Sequence, residues 1–224
     1  MNILAAILAA GSGSRVGADV PKQYLPIGGV PMLRRAADAF LLHPAVDQVA
    51  VFCPADWLAQ TRAIFADTGA VILPGGATRT QTLERVVGFW RTDSGNPDDI
   101  LLTHDGARPL VSARIIHANI AAARTYDAVG TYLACADSLV RGEGDTVTTP
   151  VSRAGVYRAQ TPQTFRAGAL AARLAQLTDA QKNALTDACG IFTLLGETVH
   201  IVPGEAINFK ITTADDLRLA EDRK

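Results

Sequence analysis

Short apolar runs alternate with amphipathic stretches along most of the chain. Ile3–Ala9 is almost wholly apolar and reads as a buried first strand. Further strands are predicted over Val49–Cys53, Val71–Leu73, Ile100–Thr103 and Ala128–Ala134. Between them, Met32–Leu42, Pro54–Phe65, Thr78–Trp90 and Ala113–Tyr126 carry apolar residues at helical spacing. Pro31 stands where the first of these helices begins, a position that proline tolerates. Undiluted apolar strands alternating with helices predict an α/β fold, a mostly parallel sheet with helices on both faces.

Residues 137–158 break the rhythm. Asp137 to Val147 reads as two extended segments around a Gly142-Glu143-Gly144-Asp145 turn. The stretch is too polar for a core and too small for a domain. It predicts a surface arm, and such arms often pair with a second subunit. Helices return at about 166–176 and 179–194, the second opening on the capping pair Thr178-Asp179. Val199–Val202 and Ile207–Ile211 are late strand candidates. Thr213–Arg223 is a closing helix capped by Thr213, with Asp215 and Asp216 in its first turn. The expected organisation is one domain over 1–224 with an arm at about 137–157.

Charge narrows the function. The 224 residues carry 21 Lys+Arg against 22 Asp+Glu, a net of -1. Non-specific nucleic-acid binding draws on a basic excess that neutralises many phosphates, and that excess is missing. A polybasic membrane anchor is excluded on the same ground. Hydrophobic residues make up 48% of the chain, enough to build a core. Cys53, Cys135 and Cys189 are far apart, with neither metal-ligand nor redox spacing, and read as small hydrophobes in a reducing compartment. The apolar start is short, lacks a basic flank and runs into a glycine-rich loop, unlike a signal peptide or a membrane span. A cytoplasmic protein is expected.

Three loops carry candidate chemistry. Gly11, Gly13 and Gly17 follow the first strand, where glycine lets backbone N–H groups turn toward an anion. The loop is not a P-loop, because Gly-Lys-Ser/Thr is absent, and Gly11-x-Gly13-x-x-Val16 lacks the third glycine of a dinucleotide fingerprint. Arg15 in the loop and Lys22 after it add two cations suited to a triphosphate. The second loop, Gly75-Gly76-Ala77-Thr78-Arg79-Thr80-Gln81-Thr82, opens a helix and can approach a base or ribose closely. The third, His104-Asp105-Gly106-Ala107-Arg108-Pro109, leaves a buried strand at the end that faces ligands in open α/β sheets. Asp105 there could hold Mg²⁺ or a substrate hydroxyl, or simply form a turn. His104 reads as a packed histidine rather than a base.

These motifs resemble those of the sugar-alcohol-phosphate cytidylyltransferases. The resemblance rests on Leu8-Ala9-Ala10-Gly11-Ser12-Gly13-Ser14-Arg15, Pro21-Lys22-Gln23-Tyr24-Leu25, Gly75-Gly76 with Arg79, and His104-Asp105 with Arg108-Pro109. It continues through Thr161-Pro162-Gln163 with Phe165, Thr186-Asp187, and Asn208-Phe209-Lys210-Ile211-Thr212, and so spans the chain. It implies a Rossmann-like nucleotidyltransferase fold that condenses CTP with a polyol phosphate to a CDP-polyol and pyrophosphate, with Mg²⁺. By resemblance, Arg15, Lys22 and Lys210 would act on the phosphates. Ala9, Ala10, Gly11, Gly13, Gly76, Arg79 and Thr82 would form the nucleotide site. Asp105 would lie near ribose, metal and acceptor. Ser138, Arg153, Thr161, Thr186 and Lys210 would hold the acceptor phosphate, with the arm building a homodimer and Arg153 donated in trans. Thr186-Asp187-Ala188-Cys189-Gly190 and Tyr157-Arg158-Ala159-Gln160-Thr161 look more like the ribitol-phosphate branch than the methylerythritol-phosphate branch. Ribitol 5-phosphate is the favoured acceptor, with methylerythritol phosphate the alternative. Another base with a sugar 1-phosphate, or a silent nucleotide-binding protein, are the readings from other classes.

Overall fold

The computed structural model describes residues 1–11 and 20–223. Gly13, Arg15 and Gly17 lie outside the described residues. The chain runs β1 (Ile3–Leu8), β2 (Pro26–Ile27), β3 (Val30–Pro31), α1 (Met32–Leu41), β4 (Gln48–Cys53), α2 (Leu58–Ile64), β5 (Val71–Pro74) and α3 (Arg79–Asp93). It continues through β6 (Ile100–Asp105), α4 (Ala113–Ala123), β7 (Ala128–Ala134), β8 (Leu139–Glu143), β9 (Thr146–Val151) and β10 (Tyr157–Arg166). The last elements are α5 (Ala167–Gln176), α6 (Asp179–Ala184), α7 (Gly190–Leu194), β11 (His200–Pro203) and α8 (Ala214–Glu221).

Among the described residues, seven strands form one sheet in the order β11-β7-β10-β6-β1-β4-β5. β1 pairs parallel with both β4 and β6, while β10 runs antiparallel between β6 and β7. Strand alternation divides the core into two layers. Ile3, Ala5 and Ile7 point to one face, packing with Leu33 and Phe40 of α1 and Ile115 and Ile116 of α4. Leu4 and Ala6 point to the other, against Leu83, Val86 and Trp90 of α3, Leu170 of α5 and Phe192 of α7. The expected α/β sheet, covered on both faces, is therefore the observed architecture.

The structure corrects the sequence reading in four places. β10 was not anticipated beyond the arm, because four of its buried residues are polar, Gln160, Thr161, Gln163 and Thr164, whose side chains find hydrogen-bond partners inside. The helix expected over 179–194 is two helices, α6 and α7, separated by a loop in which Asp187 accepts from Gln163 Nε2 and from the Gly190 N–H. The strand expected over Ile207–Ile211 is a loop, because side chains satisfy its backbone: Arg108 donates to Asn208 O and Lys22 to Ile211 O. The helix expected from Pro54 opens as a 3-10 turn, Ala55–Trp57, before α2. Pro31 is the residue just before α1, and caps without a side-chain bond.

β8 and β9 form a two-stranded hairpin of their own within the span expected to be an arm, with Val140 and Val147 exposed. Thr178 and Thr213 cap α6 and α8 as anticipated, each within a reciprocal capping box. No helix among the described residues is long and apolar enough to cross a membrane. Cys53 and Cys189 are buried and Cys135 is half-buried, all as free thiols.

Candidate active site

Three loops leave parallel strands at the same, carboxyl-terminal end of the sheet: after β1, after its neighbour β6, and after β5 on the far side of β4. The register places Leu8 beside Asp105 of β6 and Phe52 of β4. Open α/β sheets bind ligands at this end. A cavity of about 340 Å³ opens there, lined by Ala9, Ala10, Gly11, Lys22, Gln23, Gly76, Ala77, Thr78, Arg79, Thr82, Asp105, Ala107, Thr186 and Lys210 among others. Residues spread from position 9 to position 210 thus meet in one crevice.

The floor needs glycine for lack of space. A Cβ on Gly75 would stand 2.3 Å from the Ala10 Cβ, and one on Gly76 would stand 2.4 Å from the Gln81 Cβ and 2.8 Å from the Thr82 nitrogen. Gly76 N–H donates to Thr82 Oγ1 at 3.0 Å, and Thr78 caps α3 by accepting from the Gln81 N–H. The segment therefore brings its backbone, and the positive end of α3, to the cavity wall.

Opposite, charge is concentrated around one carboxylate. Asp105 Oδ1 lies 2.5 Å from Arg79 Nη1, and its Oδ2 lies 2.9 Å from Lys210 Nζ and 3.7 Å from Arg108 Nε. Burial alone would raise the Asp105 pKa, but Arg79, Lys210 and Arg108 outweigh it and hold the carboxyl well below its ordinary range. Arg79 Nε is buried and has no acceptor among the described residues. Arg108 is itself buried, which lowers its pKa despite Asp105 beside it, and it donates inward to Asn208 O and Ala159 O. Arg79, Lys210 and Lys22 reach the cavity, whereas Arg108 supports it from behind.

The lysines are held by backbone carbonyls and tertiary bonds. Lys22 Nζ donates to Ile211 O at 2.9 Å, and Ile211 N–H donates to Ala107 O at 2.9 Å. The loop after β1, the loop after β6 and the loop bearing Lys210 are thereby tied together. Gln23 went unassigned in the sequence reading, although it sits in the quoted motif. It is buried, and its Nε2 donates to Ala9 O at 2.7 Å and Gly11 O at 3.2 Å. Hydrophobicity gives no signal for such a residue. Gln163 was missed as a functional residue for the same reason. It is buried, and it fastens the loop that carries Thr186 by donating to Asp187 and accepting from the Ala188 N–H.

The structure gathers Ala9, Ala10, Gly11, Lys22, Gly76, Arg79, Thr82, Asp105, Thr186 and Lys210 around the cavity. Arg15 and Gly13 lie outside the described residues. Ser138 and Arg153 are exposed at the arm, with Arg153 bonded to the Ala136 carbonyl, and neither lines the cavity of its own chain. Thr161 is 3% exposed and does not line it either. His104 is fully buried against Phe40 as a packed histidine, and burial pushes its pKa down to about 4.

The sequence of residues 3–223 matches the family model of IspD, 2-C-methyl-D-erythritol 4-phosphate cytidylyltransferase. Similar relatives include a ribitol-5-phosphate cytidylyltransferase of Lactiplantibacillus plantarum, 39% identical across 97% of this chain and 96% of the relative. Another of the same name from Streptococcus pneumoniae is 35% identical across 98% of this chain and 97% of the relative. Among solved structures, the 2-C-methyl-D-erythritol 4-phosphate cytidylyltransferase of Francisella tularensis superposes with a TM-score of 0.85, 26% identity and full coverage of both chains. That of Thermus thermophilus gives 0.79 at 31% identity, covering 100% of this chain and 98% of the other. Fold, cavity and sequence agree: the chain belongs to the IspD family of cytidylyltransferases.

Proposed function

We propose that the enzyme transfers the cytidylyl group of CTP to ribitol 5-phosphate, giving CDP-ribitol and pyrophosphate. The observation that carries the acceptor is the identity of 39% along nearly the whole chain to a protein named for that reaction. The cytosine and ribose would lie over Ala9, Ala10, Gly76 and Thr82, against the backbone that the close packing at Gly75 and Gly76 brings to the cavity wall. The triphosphate would face Lys22, Arg79 and Lys210, with Arg15 as a further expected contact. Arg79 Nε is buried and lacks an acceptor among the described residues, so it would donate to that ligand once the side chain turns from Asp105.

An oxygen of the acceptor phosphate attacks the α-phosphorus, a new P–O bond forms, and the bond to the β-phosphate oxygen breaks. Pyrophosphate leaves with the electron pair. The attacking oxygen is already anionic near neutral pH, so no general base is required. Charge builds on the α-phosphoryl oxygens and the leaving group, and fixed cations in a partly desolvated crevice stabilise it. Catalysis is then positioning plus electrostatics.

The resemblance also implies Mg²⁺. Asp105 is the carboxylate in the cavity lining, and one carboxylate plus phosphate and water oxygens is a donor set that magnesium accepts. Both oxygens of Asp105 face cations, so it would take the ion as Arg79 and Lys210 turn to the phosphates. When bound, the ion supplies charge neutralisation on the triphosphate. Arg153 and Ser138 would meet the acceptor from the arm of a second copy, which makes a homodimer the working unit.

The test is pyrophosphate release with each of CTP, UTP, ATP and GTP against ribitol 5-phosphate, methylerythritol phosphate and other pentitol phosphates. Release confined to CTP with ribitol 5-phosphate supports the assignment. Release with methylerythritol phosphate alone overturns the acceptor. No release with any pair overturns catalysis.

A further inference from the structure

Of the two charged partners at the heart of the cavity, Asp105 ends β6 and Lys210 sits on a loop, and both segments are fastened to the same buried residue. The ladder between β6 and β10 ends at the pair Thr103–Gln163. Pro162 comes next and has no N–H to give. In place of the ladder, the Thr161 hydroxyl accepts from the Asp105 N–H at 3.0 Å. The Thr161 carbonyl accepts from Asn208 Nδ2 at 2.8 Å, two residues before Lys210. One residue of β10 therefore holds both ends of the Asp105–Lys210 pair, whose charged atoms are 2.9 Å apart.

His104 sets the direction of the hydroxyl. Its Nε2 lies 3.0 Å from the Arg108 carbonyl oxygen, which can only accept, so Nε2 carries the proton. Nδ1 is then an acceptor, 3.0 Å from Thr161 Oγ1, and the hydroxyl hydrogen points at it. That leaves the oxygen lone pairs for the Asp105 N–H. Each of these bonds is satisfied by a single neutral tautomer, in a site where His104 is fully buried and Thr161 is 3% exposed. The hydroxyl's one hydrogen is committed to His104, and Thr161 lies outside the cavity lining.

We infer that Thr161 and His104 are a positioning pair that holds Asp105 and Lys210 at their working separation, and that Thr161 does not contact the acceptor. The inference deepens the proposed cytidylyl transfer and rests on it for its kinetic arm. Thr161→Val removes the hydroxyl and keeps the carbonyl. Its kcat falls on the order of 10–100-fold, as a shift of about 1 Å in reacting groups does, while the acceptor KM moves less than about 3-fold. Thr161→Ser restores kcat to within about 3-fold of the parent enzyme. Thr161→Val combined with His104→Phe costs little more than either alone, because both break one chain of bonds.

An acceptor KM raised more than about 10-fold at unchanged kcat identifies Thr161 as a direct contact and overturns the inference. Full activity of Thr161→Val overturns it as well. Nitrogen-15 NMR of the unmutated protein tests the geometry with no variant and no substrate. The His104 ring must show the neutral, Nε2-protonated pattern, and a Nδ1-protonated or charged ring contradicts the pair. If the protein released no pyrophosphate with any acceptor, the transfer reading would fail while this NMR result still decided the geometry.

Discussion

At the scale of single residues, space and charge at the cavity are each set by a few atoms. Gly75 and Ala10 approach so closely that an added methyl group would overlap the Ala10 Cβ at 2.3 Å, with Thr82 Oγ1 and the Cys53 carbonyl also in contact. Gly75→Ala is expected to lose about 1–3 kcal/mol of stability, the usual cost of overpacking, and to weaken CTP binding more than acceptor binding. Denaturant unfolding and titration calorimetry with CTP read the two effects separately. His104 carries a pH dependence. Its pKa falls from 6.5 to about 4 on folding, because burial disfavours the charged ring. The unfolded chain therefore takes the proton first as pH falls. Stability is complete above about 6.5 and declines down to about 4, by roughly 3 kcal/mol in total. The depressed Asp105 pKa acts in the same direction over a lower range, stabilising above its unfolded value of 3.8 and losing that contribution only below it. His43 shifts in the same direction as His104, so the comparison must be with His104→Phe. That variant should show a flatter fall in urea midpoint between pH 7 and pH 4.5, and an unchanged slope would contradict the assignment.

At the scale of elements, the legible parts were those with apolar periodicity. β1, β4, β6 and β7 and helices α1, α3 and α4 were located within a few residues, because alternating faces of Ile, Leu, Val and Ala announce a core. The Ile207–Ile211 loop carries the same apolar signature and misled, since tertiary bonds from Arg108 and Lys22 consume its carbonyls. β10 hid for the converse reason: a buried strand built from threonine and glutamine looks like surface until its partners are known. The site followed the same division. Glycines and cations on loops after strands marked the cavity, whereas Gln23, Asn208 and Gln163, which shape it from beneath, have roles visible only in three dimensions. Gln163 offers an element-level test, since it ties β10 to the loop between α6 and α7. Gln163→Leu leaves Asp187 and the Ala188 N–H without this partner, a loss of about 1–3 kcal/mol. With Thr186 on that loop, the acceptor KM should rise while the CTP KM stays near its parent value. Equal changes in both would place the effect elsewhere.

At the scale of the whole molecule, a chain with a net charge of -1 gathers Lys22, Arg79 and Lys210 at one end of its sheet. Near-neutral totals exclude a basic face without excluding a site for polyanions. The exposed arm is the remaining large feature, and its assigned role requires a second copy. Lys22→Ala and Arg153→Ala should each be inactive alone. Mixed and allowed to exchange subunits, they should recover roughly a quarter of parent activity, because half the dimers are hybrids with one complete site each. Silence of the mixture, with exchange verified by mass, would place Arg153 outside the partner's site.

The measurement that bears most directly on the central claim is a competition. CTP in limiting amount is offered equal ribitol 5-phosphate and methylerythritol phosphate, and the two CDP-polyols are quantified by mass spectrometry. Their ratio is the ratio of kcat/KM values. CDP-ribitol in excess of about 100-fold is the predicted result, since a site built to bond particular hydroxyls rejects a mismatched polyol strongly. A dominant methylerythritol product would contradict the account.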